Sequence, residues 1–156
     1  MKTGRPSHRT AFTLVEIMVV VLIIGLLAAL GMFSYTRARE SAQNNAFIGN
    51  IRVFQQAFIL YALDHKGQYP ADVTPAVVPT GMDQYFKPSL WTSRTPIGGQ
   101  WDWDNGQFGI KAGVSVYQPT AKVNQMKEID RILDDGDLTT GNLRQRSSGY
   151  IYIIEP

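Results

Sequence analysis

From Phe12 to Phe33 the chain is apolar at nearly every position, and a single charge, Glu16, falls within these 22 residues. No polar face recurs at helical spacing, as it would on a helix lying at the surface of a soluble core. At about 1.5 Å rise per residue the segment spans roughly 33 Å, enough to cross a hydrocarbon core of about 30 Å. Beyond it the pattern turns amphipathic. Phe47, Ile51, Phe54, Phe58 and Tyr61 step by fours and threes, which places them on one helix face. Arg37, Glu40, Asn44, Arg52 and Gln56 occupy much of the remainder. Gly67 and then Pro70 end the run. The pattern predicts one helix, Phe12–His65, of about 54 residues and roughly 80 Å, with its amphipathic half buried against a sheet.

The rest of the chain is punctuated more often. Residues 71–90 carry Pro75, Pro79, Gly81 and Pro88, so they read as loop with at most a short helix over Met82–Phe86. In Trp101-Asp102-Trp103-Asp104 strand alternation puts both tryptophans on one face and both aspartates on the other. Those tryptophans predict an aromatic plate over the long helix, with a sugar-stacking surface as the rival reading. Phe108–Tyr117 reads as a strand. Ala121–Leu133 reads as an amphipathic helix with Val123, Met126, Ile129, Ile132 and Leu133 inward. Tyr150–Ile154 reads as a final apolar strand in the middle of a sheet.

Charge refines this picture. The formal net charge is +2. Three cations, Lys2, Arg5 and Arg9, precede the apolar segment, and the residues after Phe33 carry 12 basic and 12 acidic side chains. A neutral second part argues against nucleic acid as a partner, which calls for a basic patch. The positive-inside rule puts the Lys2–Arg9 end in the cytoplasm and the bulk of the chain outside. There is no cysteine, and the two histidines are His8 and His65. A thiol nucleophile, a disulfide frame and the usual zinc ligand sets are therefore excluded.

The apolar run is too long for a secretory signal, whose core is about 7–15 residues, and no small-residue cleavage site follows it. A plain anchor fits the length but leaves Glu16 unexplained, because a carboxylate in a membrane segment costs about 2.5–3.5 kcal/mol. Phe12-Thr13-Leu14-Val15-Glu16, after a short basic leader and before an uninterrupted apolar helix, resembles the cleavage and methylation motif of type IV prepilins and type II secretion pseudopilins. Ala11 stands where that family usually has Gly, and Gly25 and Gly31 stand in place of a helix-bending Pro. Tyr69-Pro70 after the helix is similar to the helix exit of major pseudopilins.

The resemblance implies an α+β pilin fold, with a long N-terminal helix on a small antiparallel sheet. It implies a leader over residues 1–11, a transmembrane and assembly helix over 12–33, and an extracytoplasmic domain over 34–156. It further implies cutting between Ala11 and Phe12 by a prepilin peptidase, N-methylation of Phe12, and a role for Glu16 in assembly. The partners are then copies of the chain, other pilins and an assembly platform in the bacterial inner membrane. The alternative is a single-pass anchor carrying an extracytoplasmic binding or enzymatic domain.

No nucleophile–base–orienter set is visible, and the chain is expected not to be an enzyme. One group of residues could hold a ligand. Asp130, Asp134, Asp135 and Asp137, with Gly136 at the bend, gather acidic oxygens at a helix end. Calcium takes six to eight oxygen ligands, and an acidic C-terminal turn opposes the helix dipole unless a cation is present. The spacing is not that of an EF-hand, and a solvated turn is the rival. Major pseudopilins carry a calcium site in their C-terminal loops, so the resemblance implies calcium here.

Overall fold

The computed structural model describes residues 12–156. Ala11 and the rest of the expected leader, residues 1–11, lie outside the described residues. The chain divides into two compact units, one running to Arg39 and the other Glu40–Pro156. Helix α1, Leu14–Asp64, contributes to both. In the first unit its apolar side chains, among them Leu22, Ile24, Leu26 and Leu30, are exposed. The most hydrophobic 18-residue window has none of its residues buried inside the protein. Such a surface is stable only against lipid or other apolar helices.

The second unit contains all the buried core side chains, from Phe47 to Ile153. Strands β1 (Gln100–Asn105), β2 (Ala112–Tyr117), β3 (Leu143–Arg146) and β4 (Gly149–Glu155) form one antiparallel sheet in the order β1-β2-β4-β3. Alternation along the strands sets its two faces. Trp101 and Trp103 share the inner face with Val114, Val116, Tyr150, Tyr152 and Leu143. Phe47, Ile51, Phe54 and Phe58 of α1 fill the space against them. Phe47 stacks on Trp101 with ring centroids 5.1 Å apart, and Phe58 stacks on Trp103 at 3.6 Å. The third tryptophan, Trp91, lies edge-on to Phe54 and donates its indole N–H to the Val77 carbonyl. All three tryptophans are fully buried, which removes the sugar-stacking reading. Helix α1 ends with Lys66 and Gly67 at positive φ and the Gly67 amide bonded back to the Ala62 carbonyl at 2.7 Å. That bond satisfies one of the carbonyls left open at a helix end.

The α+β expectation holds: α1 and a small antiparallel sheet form a pilin-like arrangement, with β4 inside the sheet as expected. Several details differ. Helix α1 starts at Leu14, two residues later than expected. Between Met82 and Gln84 there is only a short 3₁₀ turn, and α2 (Pro88–Thr92) follows it unannounced. The β2 strand begins at Ala112 rather than Phe108, because Phe108 and Gly109 adopt positive φ and break the extended run. Helix α3, Val123–Leu133, buries Met126, Ile129 and Asp130, while Val123 and Ile132 are exposed. The inward stripe is 126, 129, 130 and 133, so helical spacing gives Asp130 the place that hydrophobicity alone assigns to Ile132.

Candidate functional site

At the start of α1, Glu16 is tied to Thr13. The Thr13 amide and hydroxyl both donate to Glu16 Oε2 at 2.8 Å, and the Glu16 amide donates to Thr13 Oγ1 at 3.3 Å. This is a reciprocal capping box, in which two of the amides left open at a helix N-terminus find partners. Its Thr-x-x-Glu signature is legible in the sequence. Even a plain anchor has a use for Glu16 in this box, so the presence of Glu16 alone does not separate a filament subunit from an anchored domain. Phe12, the residue before the box, is exposed.

The acidic loop is built from the end of α3 and the turn before β3. Asp130, Asp134 and Asp135 each bring one carboxylate oxygen within 4.8 Å of the others. Asp130 is fully buried, and neither of its oxygens has a hydrogen-bond partner. Burial, with Asp135 and Asp134 beside it, pushes the Asp130 carboxyl up to about 6. Asp134 accepts from the Asn142 amide. Asp135 accepts from the Asp137 amide and the Thr140 hydroxyl, which hold it below the usual carboxylate range. Gly141, at φ 67°, lets the backbone pass where any Cβ would collide with Asp134 Oδ2. Asp137 stands apart from the three. Its carboxylate accepts from the Thr139 hydroxyl and amide at 2.7 and 3.0 Å. The three converging carboxylates are hard oxygen donors of the kind calcium takes. Asp64 and His65, adjacent at the end of α1, do not pair with each other. Asp64 accepts from Tyr85, whereas His65 stacks on Tyr61 and places Nδ1 2.8 Å from its carbonyl.

Residues 6–32 match the family model described as the prokaryotic N-terminal methylation motif. Its N-terminal segment is type IV prepilin-like. The chain is also similar to the ComG operon protein 3 homolog of Bacillus licheniformis, with 34% identity over 63 residues. That match covers 40% of the chain and 65% of the relative, so the chain spans a little less than two thirds of that protein's length. No solved structure matches it.

A second polar cluster, on the outer face of the sheet, has no signature in the sequence. Arg146 at the end of β3 donates to both oxygens of Asp104 at 3.1 and 3.2 Å, and to Asp102 Oδ2 at 3.0 Å. Ser115 donates to Asp104 as well. Alternation correctly turns these aspartates away from the tryptophans, yet both are buried. Burial, and then Asp104 beside it, pushes Asp102 up to about 6 against the pull of Arg146. Burial likewise raises Asp104. The partners are 42 and 44 positions apart in sequence, and only strand pairing brings them together.

Proposed function

We propose that the prepilin-like chain is a structural subunit, rather than an enzyme, of a type IV pilus-like or type II secretion pseudopilus filament. A prepilin peptidase cuts it between Ala11 and Phe12 and methylates the new amine. The apolar part of α1 then anchors it in the bacterial inner membrane, with the cut end toward the cytoplasm and the second unit outside. The same apolar surface packs with copies of the chain and other pilins at an assembly platform. One observation carries this reading: the methylation motif leads directly into an apolar helix whose most hydrophobic stretch finds no cover among the described residues.

Glu16 has two separable roles in this proposal. Its capping role needs only an acceptor, which Gln also supplies. Its assembly role needs charge: in an apolar bundle the carboxylate of one subunit meets the terminal amine of Phe12, its own or a neighbour's, and an unmatched charge is strongly destabilising there. Glu16→Gln should therefore insert and be processed as wild type does, yet fail to enter sheared and pelleted filaments at equal membrane abundance. Filament entry of Glu16→Gln at the wild-type level removes the charge from the mechanism and favours the plain-anchor reading.

Calcium belongs to the same proposal, held by Asp130, Asp134 and Asp135, with Asp137 left to its bonds with Thr139. The ion would neutralise a buried carboxylate and tie the end of α3 to the turn before β3.

A further inference from the structure

The outer face of the sheet carries an open cavity of about 560 Å³ for which filament assembly has no use. Asp72, Asp102, Asp104, Phe108 and Arg146 line it, with Val73 and Pro75 beside them. Three carboxylates face one guanidinium. Among the described residues Arg146 is the one cation paired with Asp102 and Asp104, and Asp72 is bonded instead to the Asn105 amide at 3.1 Å. The lining is therefore short of positive charge.

Two buried atoms of this cluster lack partners, the acceptor Asp102 Oδ1 and the donor Arg146 Nε. Asp102 is 6% exposed, and its Oδ1 has no hydrogen-bond partner, while Oδ2 is taken by Arg146. A buried acceptor without a donor is a rare arrangement in a folded protein. Phe108 stands at the same cavity, 62% exposed. Its backbone is at φ 52°, a conformation that bulky residues seldom adopt. Part of its ring lies under the Arg146 guanidinium at 4.6 Å, and the rest is open.

An anion is repelled by three carboxylates. A metal ion needs converging oxygens, and among the described residues only the Asp130 group brings three together closely enough. An organic cation answers the excess carboxylates and the open acceptor of Asp102, and leaves the unpartnered Nε–H of Arg146 as it is. It donates to Asp102 Oδ1, balances the excess charge, and offers a positive group to the Phe108 ring, a contact worth about 0.5–2 kcal/mol. The cavity also leaves room for an aliphatic arm along Val73 and Pro75. We propose that this cavity binds an organic cation, an ammonium or guanidinium group on an aliphatic arm, between Asp102 and the Phe108 ring. The cation comes either from a free small amine or from a lysine or arginine side chain of a partner protein. The proposal stands independently of filament assembly.

The test is a titration of the full chain in detergent micelles with n-butylguanidinium, n-butylammonium and neutral n-butylurea, followed by the amide resonances of Ser115 and Phe108. Saturable shifts with either cation and none with butylurea are expected. Asp102→Asn should weaken the binding at least tenfold. Phe108→Ala, at an exposed position, should weaken it severalfold without lowering the melting temperature. A blocked lysine-containing pentapeptide that binds more tightly than butylammonium points to a partner's side chain, and weaker binding points to a free amine. Shifts that grow linearly without saturating, an equal response to butylurea, or undiminished binding by Asp102→Asn overturns the proposal.

Discussion

Replacing Asp102 by Asn should make the protein more stable at neutral pH, although the substitution removes a charge that contacts Arg146. Asp102 is pushed up to about 6 in the fold, against about 3.9 for an unfolded aspartate. Between those values the folded chain keeps a proton that the unfolded chain has released. Stability therefore falls as pH rises through the window, and the whole loss is present above about pH 7. About two units at 1.36 kcal/mol each gives a cost on the order of 3 kcal/mol. The attraction of Arg146 is already contained in that net shift. Asn cannot ionise, so relative to wild type near pH 3, below the unfolded value, the variant should gain up to about 3 kcal/mol by pH 7.5. For a folded unit of this size that corresponds to an upshift on the order of 10 °C. Tryptophan fluorescence melts of the full chain in detergent, at several pH values, read the effect directly, since all three indoles are in the core. Parallel pH profiles for the two proteins would refute the reasoning, as would an Asn variant that melts lower at pH 7.5.

Two further outcomes follow from the core and the acidic loop. Phe58→Ala removes a fully buried ring stacked on Trp103 and should cost about 3–5 kcal/mol in denaturant unfolding. A loss below about 1 kcal/mol would mean that the stacked pair is not a core contact. If Asp130, Asp134 and Asp135 hold calcium, saturating the full chain at a hundred times its Kd should add about 2.7 kcal/mol over the chelated form. Asp134→Ala should abolish that response, and identical wild-type melts in calcium and chelator exclude the site.

The features legible in the sequence are those with a local period. The four-and-three stripe from Phe47 to Tyr61 and the Trp-Asp alternation each specify a face, and the structure places those faces as expected. What escaped depends on partners distant in the chain. Strand β3, Leu-Arg-Gln-Arg, has one apolar residue and two charges, so nothing in its pattern marks a strand. It exists because β4 pairs with it, and its Arg146 reaches aspartates on β1. Phe108 read as strand because its side chain is apolar, while its positive φ was not visible. In α3 hydrophobicity favours Ile132 as an inward residue, whereas helical spacing buries Asp130 beside Met126 and Ile129. Of the N-terminal motif, the spacing was plain and the capping box was overlooked.

The most direct test of the central claim is the intact mass and N-terminal sequence of the chain extracted from membranes of a host that has a prepilin peptidase. The account predicts a single mature form that lacks the first 11 residues, begins at Phe12 and carries one methyl group on its amine. Ala11→Gly should give the same product, and a bulky residue at position 11 should leave the precursor uncut. A mature membrane form that retains Met1, or that is cut elsewhere, would contradict the account.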